Sequence, residues 1–390
     1  MLYRKLKDDI SVSILGFGAM RLPLIGGTQS PVDSFNPARS IDEEETRRMV
    51  EYAIDHGVNY FDTAYNYHGG KSEVVLGKAL RPHRDKVMIA TKLPVFSVTV
   101  REDFDRLLDE QLKRLDTACL DFYLLHGLNE HTWAKARDLG VLEFLDRTQK
   151  DGRVRHAGFS HHDTLAVFKE IVDSYDWTMC QIQYNYLDEQ FQAGKEGLQY
   201  AASKGLGVVI MEPLRGGKLA IVPPEVQSLF DSWPEKRTPA EWALRWVWNH
   251  REVSTALSGM SSLAQVRDNI RAAEKGQADS LSAKETALLD RVREVYRRMF
   301  KVDCTGCGYC MPCPAGVNIP TNLALYNDAL VFNDPTGVMV YNAFLFPEQK
   351  ALSCTECGEC EEKCPQNIPI REELKKAHLT LHREQAKAEK

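Results

Sequence analysis

What this chain lacks narrows its class before anything it contains. No apolar stretch approaches the ~18 residues that a membrane-spanning helix requires. Neither sign of charge dominates: 49 Lys and Arg stand against 55 Asp and Glu, for a net charge of −6. The two signs are interspersed, so no basic face points to nucleic acid or to an anionic membrane. The N-terminal stretch Met1-Leu-Tyr-Arg-Lys-Leu-Lys-Asp-Asp-Ile-Ser-Val-Ser alternates like a hairpin and has no uninterrupted signal-peptide core. No G-x-G-x-x-G follows the first strand candidate, where Gly16-Phe-Gly18-Ala-Met-Arg stands, which argues against an open doubly wound dinucleotide sheet. No flavin motif is recognisable. The expectation is a cytoplasmic protein of 390 residues, long enough for one large domain and one small.

Cysteine is scarce until the C-terminal quarter, where eight of the ten fall in two runs. The second, Cys354-Thr-Glu-Cys357-Gly-Glu-Cys360-Glu-Glu-Lys-Cys364-Pro365, matches the bacterial ferredoxin spacing C-x2-C-x2-C-x3-C-P in full. The first, Cys304-Thr-Gly-Cys307-Gly-Tyr-Cys310-Met-Pro-Cys313-Pro314, is one residue short before its last cysteine. Structural zinc also uses paired C-x2-C units, but a third C-x2 repeat and a terminal C-P in both runs are unusual for a zinc ribbon. Two [4Fe–4S] clusters are expected. Either Cys304, Cys307 and Cys310 take Cys364 while Cys354, Cys357 and Cys360 take Cys313, or each run closes on itself, which the short first run makes harder. Thiols in ligand spacing suit a reducing compartment. Cys119 and Cys180 sit in apolar contexts and read as buried small hydrophobes.

From residue 13 to about 276, short apolar runs alternate with amphipathic helical stretches. Strands are predicted at 14–18, 59–62, 87–91, 121–125, 154–160, 179–184, 207–211 and 253–257. Helices are predicted at 42–56, 72–80, 101–115, 141–150, 163–173, 239–249 and 262–274. Eight such parallel βα units imply a closed (β/α)8 barrel over residues 1–282. A linking helix over 283–300 then leads to a helical, ferredoxin-like module over 301–390. In such a barrel chemistry collects at the C-terminal ends of the strands. Asp62, Lys92, His126 and Ser160 all fall there.

The segment Phe61-Asp62-Thr-Ala-Tyr65-Asn-Tyr67-His-Gly-Gly-Lys-Ser-Glu73, followed by Ala90-Thr-Lys92 and Leu124-Leu-His126, resembles the aldo-keto reductase family. The resemblance covers the barrel, about two thirds of the chain. It implies reduction of a small carbonyl, or oxidation of an alcohol, with NADP or NAD, through a tetrad of Asp62, Tyr67, Lys92 and His126. The chemistry suits those residue types. Hydride arriving at a carbonyl carbon leaves an alkoxide that must gain a proton, and a phenol with pKa near 10 is a feeble acid without help. A lysine ammonium eases release of the phenolic proton, a carboxylate holds that ammonium, and a histidine can hydrogen-bond the substrate oxygen.

The same resemblance implies a cofactor cleft. Ser160 and Gln181 match the groups that hold the nicotinamide carboxamide, with His161 standing where many members have Asn. Met211 occupies the place of an aromatic ring that stacks on the nicotinamide. Pro213, Leu214, Arg215 and Gly217, with Gly216 and Lys218, match the pyrophosphate stretch, and Gly259, Gln265 and Asn269 match the adenosine end. NADP-preferring relatives have Lys and Arg at the positions of Gly259 and Gln265, so the choice between NAD and NADP stays open. The loops 23–41, 126–139 and 215–239 would set substrate specificity, and in them Trp133, Phe230 and Trp233 would line a pocket or fill loop cores. Nicotinamides give two electrons while these clusters pass one at a time. Three readings follow: a hydride-transfer reductase with an appended redox or stabilising module, an electron-transfer enzyme served by a ferredoxin or flavoprotein partner, and a nicotinamide-binding redox sensor.

Overall fold

The computed structural model describes residues 1–27, 36, 38–333 and 335–382. Parts of two predicted segments, residues 28–35 and 37 of the 23–41 loop and residues 334 and 383–390 of the 301–390 module, lie outside them. The described residues fall into two compact units that divide after Thr286. No helix among them is long and apolar enough to cross a membrane.

The first unit opens with an antiparallel hairpin, β1 (Tyr3–Lys5) and β2 (Ser11–Ser13). Eight parallel strands then close into a barrel: β3 (Leu15–Gly18), β4 (Tyr60–Asp62), β5 (Met88–Leu93), β6 (Leu120–Leu128), β7 (Val154–His161), β8 (Met179–Gln183), β9 (Gly207–Met211) and β10 (Val253–Ser258), with β10 pairing back onto β3. Strands buried on both faces read as continuous apolar runs, and Ala157, Phe159, Val208, Val209 and Ile210 are all buried. Leu6 and Val12 of the hairpin join Tyr60, Phe122, Met179 and Leu257 in one buried cluster. Arg4 donates to the carbonyls of His250, Val253 and Gly276 at 2.7–3.1 Å, and to that of Trp248.

The helices between strands are α1 (Glu43–Asp55), α2 (Lys71–Leu80), α3 (Asp103–Arg114), α4 (Glu130–Asp138), α5 (Val141–Lys150), α6 (Leu165–Asp173), α7 (Gly194–Ser203), α8 (Pro224–Asp231), α9 (Pro239–Trp248) and α10 (Leu263–Ala273). Three of these, α4, α7 and α8, are absent from the helices read in the sequence, and two of them lie in segments taken there as loops. Helix α4 starts at a reciprocal cap between Asn129 and Thr132. Helix α8 starts with Pro224 in its first turn, where a missing N–H costs nothing. Helix α2 packs so tightly that a Cβ on Gly77 would stand 2.6 Å from the Leu115 carbonyl oxygen.

Helix α11 (Ala283–Met299) crosses the division between the units. The second unit is helical, with α12 (Ile319–Val331), α13 (Thr336–Met339), α14 (Glu359–Glu362) and α15 (Ile370–His382). Ile319, Leu323, Tyr341, Leu374 and Leu381 share its core. Asn322 ties its loops together, donating to the Asn318 and Gln349 carbonyls and accepting from the Ala351 N–H.

Candidate active site and cysteine centres

Strand register carries four side chains to one end of the barrel. Asp62 ends β4 and is the Cα partner of Ala90; Lys92 lies two residues further along β5, opposite Leu124; His126 lies two residues beyond Leu124 on β6. Lys92 and His126 thus belong to the last turns of their strands rather than to the loops that follow. Tyr67 opens the short turn Tyr67–Gly70, whose next residue, His68, has φ +52°. His68 is buried, and its Nε2 accepts from the Leu22 N–H at 3.1 Å. Thr63 and Ser72 hydrogen-bond each other, and Ser72 donates to the Ala19 carbonyl. These contacts pin the Tyr67 turn to the strands on either side.

Lys92 donates to Asp62 Oδ1 at 2.6 Å and to the Thr63 carbonyl at 2.7 Å, and its Nζ lies 5.2 Å from the centre of the Tyr67 ring. His126 meets the Tyr67 ring edge-on at 6.1 Å. Burial works to lower the Lys92 pKa, but Asp62 and Tyr67 outweigh it and the ammonium is held above its ordinary value. Burial also pushes the Tyr67 phenol up, and Lys92 is the largest influence pulling it back. Burial, then Lys92, holds His126 well below the ordinary histidine pKa, so its ring is neutral at pH 7. A neutral imidazole carries one N–H to donate. Asp62 Oδ2 and His126 Nδ1 are buried without a protein partner.

The support for Lys92 includes groups with no obvious motif. Glu73, fully buried, accepts from Thr91 and Gln111 at 2.6 Å and from Arg114 at 3.1 Å, while Gln111 also donates to the Lys92 carbonyl. Glu73 stood at the end of the quoted motif. Gln111 and Arg114 are spaced along α3 as one helical face, which was the only signal for them.

Ser160 and Gln181 are register partners on β7 and β8, and Gln183 is paired with Met211 on β9. The Ser160 hydroxyl accepts from the Gly127 N–H at 2.8 Å. Gln181 Oε1 is buried with no protein partner. Met211 is half-buried at the strand end, Pro213 buried and Gly217 exposed. Arg215 is buried and turned to Asp188, 3.4 Å away, with Asn185 donating to the same carboxylate oxygen at 2.9 Å. Gln265 accepts from the Ser261 N–H at 2.8 Å, so it closes the start of α10. Asn269 donates to Ser258 Oγ at 2.9 Å. His161 is buried against Phe168, and burial lowers its pKa to about 3. Trp133 on α4, Phe230 on α8 and Trp233 just after it pack on other aromatics: Trp133 donates to Glu170 and packs on Trp177, and the other two pack on Trp242. Cys180 is buried and Cys119 half-buried, which corrects the expectation of burial for both.

In the second unit the cysteines line two cavities. One is bordered by Cys304, Cys307, Cys310 and Cys364, the other by Cys313, Cys354, Cys357 and Cys360, with Cys310 between them. Burial raises the Cys304 thiol, with lesser contributions from Cys307 and Cys364; burial raises Cys360, followed by Glu361, Cys354 and Cys313. The first cavity thus takes Cys364 from the second run, and the second takes Cys313, with Cys310 at its border, from the first.

The model of the aldo/keto reductase family matches residues 15–294. The chain belongs to the aldo-keto reductase family. The model of a 4Fe-4S dicluster domain matches residues 303–369, so this member carries that domain after its barrel. L-galactose dehydrogenase of Arabidopsis thaliana is 27% identical over 295 residues, covering 67% of this chain and 88% of that protein. The aldo-keto reductase AKR11C1 of Bacillus halodurans, in its holo form, superposes with a TM-score of 0.61 at 27% identity, covering 75% of this chain and 96% of that one. The thermostable aldo-keto reductase Tm1743, solved with the inhibitor epalrestat, superposes with a TM-score of 0.59 at 25% identity, covering 75% of this chain and all of that one.

Proposed function

We propose that the barrel interconverts a small carbonyl and its alcohol with NAD or NADP as co-substrate. The observation that carries this reading is the buried Lys92–Asp62 pair beside the Tyr67 phenol, with a neutral His126 facing it. The similarity to L-galactose dehydrogenase, a protein named as a dehydrogenase of a sugar, supports the same reaction class.

A bound nicotinamide supplies or accepts the hydride; everything else falls to this chain's own groups. Tyr67 gives its phenolic proton to the carbonyl oxygen as negative charge develops there, and takes it back in the alcohol direction. Lys92 stabilises the phenolate left behind, since an ammonium close by favours the charged form. Asp62 keeps that ammonium charged in a buried site. His126 donates a hydrogen bond to the same oxygen, fixing its direction and bearing part of its charge. Gln181, with its unpartnered carbonyl oxygen, would hold the carboxamide in company with Ser160. Tyr67→Phe tests the reading: turnover should be lost while cofactor affinity stays within about twofold, and unchanged turnover would overturn it.

The dicluster domain would hold two [4Fe–4S] clusters, one on Cys304, Cys307, Cys310 and Cys364 and the other on Cys354, Cys357, Cys360 and Cys313. Such clusters carry single electrons. The twin cysteine runs motivate a second reading in which the clusters exchange electrons with a ferredoxin or flavoprotein partner. Anaerobic titration of cluster-loaded protein with NADPH and NADH, followed by visible absorption and EPR, shows whether the barrel and the clusters form one circuit. Bleaching with a reduced-iron signal supports one redox circuit. Clusters that respond only to chemical reductants rule out direct reduction by either nicotinamide and leave a hydride-transfer barrel whose clusters serve structure or an external partner.

A further inference from the structure

The two cysteine runs differ in charge. Between its cysteines the first run carries no charged residue, whereas the second carries Glu356, Glu359, Glu361, Glu362 and one lysine, Lys363. Reduction of a [4Fe–4S] cluster adds one negative charge, so nearby carboxylates oppose it and a nearby cation favours it. Hydrogen bonds to sulfur do not separate the runs. The Glu356 N–H donates to Cys354 Sγ at 3.4 Å. Burial raises the Cys304 thiol, and the Gly306 N–H opposes that rise from the matching position. Charge is the difference that remains.

One cation answers the acidic run from outside it. Arg371, in the first turn of α15, lines the second cavity with Cys357, Gly358 and Cys360. A Cβ on Gly358 would stand 3.7 Å from the Arg371 Cζ and Nη1, so the guanidinium lies over that turn. Nε and Nη2 donate to Glu361 Oε2 at 3.0 and 2.7 Å, and the Arg371 N–H donates to Oε1 at 2.9 Å. Nη1 lies 3.5 Å from the Glu356 carbonyl oxygen. The charge is thus pinned against the cysteine loop. The pairs Lys363–Glu359 and Lys375–Glu356 are more than half exposed, where water screens them, and Arg371–Glu361 is the more shielded. Among the described residues the wall of the first cavity carries no charged side chain.

We infer that Arg371 holds up the reduction potential of the cluster on Cys313, Cys354, Cys357 and Cys360, offsetting the carboxylates of its own run. Left among those carboxylates, that cluster would be much the harder of the two to reduce. The cation narrows the gap to the first cluster, so that a single electron can pass between them. The inference rests on the two-cluster reading above.

The test is an anaerobic redox titration of the full-length, cluster-loaded protein with titanium(III) citrate, followed by EPR. Each cluster takes one electron from one titanium(III), which becomes titanium(IV), so two steps are expected. In Arg371→Gln the lower step should fall by roughly tenfold in its equilibrium constant, ~59 mV for one electron, the scale of one partly screened charge. The upper step should stay. Arg371→Lys should recover part of the shift. Glu361→Gln, which removes the anion and keeps the cation, should move the same step upward, a sign that loosened packing would not give. In a Cys313→Ser background, where the second cluster is impaired, Arg371→Gln should leave the remaining step unmoved. With wild-type iron content in Arg371→Gln, a lower step within twofold of wild type, an equal shift of both steps or a shift of the upper step alone would overturn the inference and leave the two-cluster reading standing. Wild-type protein that holds no iron–sulfur cluster would overturn both.

Discussion

Lys92→Met keeps the stem of the side chain and removes only its ammonium. Asp62, 2% exposed, then loses the partner of Oδ1 beside an Oδ2 that already has none. A buried carboxylate stripped of its counter-charge costs about 3–5 kcal/mol. The escape is protonation, which at pH 7 costs about 4 kcal/mol from an ordinary carboxyl pKa near 4, at 1.36 kcal/mol per unit. Both routes give the same size of loss. With an m-value of about 2–3 kcal/mol/M, the urea midpoint of the barrel should fall by roughly 1–2 M at pH 7. All six tryptophans lie in the barrel unit, so their emission reports that unit alone. The loss should shrink to about 1.5 kcal/mol at pH 5, where protonating Asp62 is cheaper. The double variant Asp62→Asn, Lys92→Met should recover most of the stability, because no buried charge is left unpaired. Turnover should stay lost in both. A Lys92→Met midpoint equal to wild type, or a double variant as unstable as the sum of the single losses, would refute the reasoning.

Other consequences can be checked directly. Burial lowers the His68 pKa to about 4, so the folded state resists the proton that the unfolded chain accepts. The stability this gives is complete above pH 6.5 and lost as pH falls through 4, by up to roughly 3 kcal/mol. In His68→Gln, pH-dependent urea melts should show a smaller acid-side decline. Gly77→Ala should gain about 1 kcal/mol of helix propensity but force a Cβ to 2.6 Å from backbone atoms that cannot easily yield. The clash should dominate, with a net loss of about 1–3 kcal/mol in denaturant melts. Cys313→Ser should impair the cluster on Cys354, Cys357 and Cys360 and spare the other. Iron content and EPR of the reduced protein would show this, and loss of the first-run cluster instead would mean that each run closes on itself.

The eight barrel strands were legible because each is a buried run whose apolar character survives without knowledge of its neighbours; β9 was read to the residue. The gathering of Asp62, Tyr67, Lys92 and His126 at one barrel end was legible because three of them sit on strand ends in chain order. Helix α4 was missed because only Thr132, Trp133 and Ala136 of its nine residues are buried, too thin a stripe to stand out. Helix α8 was missed because prolines at 223 and 224 read as a break when they mark a start. The cofactor stretches were the least legible. Arg215 turns to Asp188 and Gln265 to the Ser261 N–H because of partners no spacing rule names.

The grip of Arg4 on the carbonyls of His250, Val253 and Gly276 has a consequence for how the chain folds. It joins the start of the chain to a segment about 250 residues later, a contact of very high sequence separation. Such closures form slowly, since loop entropy is lost before the contact rewards it. During synthesis the hairpin must wait until residues past 276 have emerged, so the growing sheet has an open edge at β3 until β10 arrives. At about 5–20 residues per second that interval lasts on the order of ten seconds or more. The N-terminal hairpin is therefore a late lock, fastened when the barrel is nearly complete.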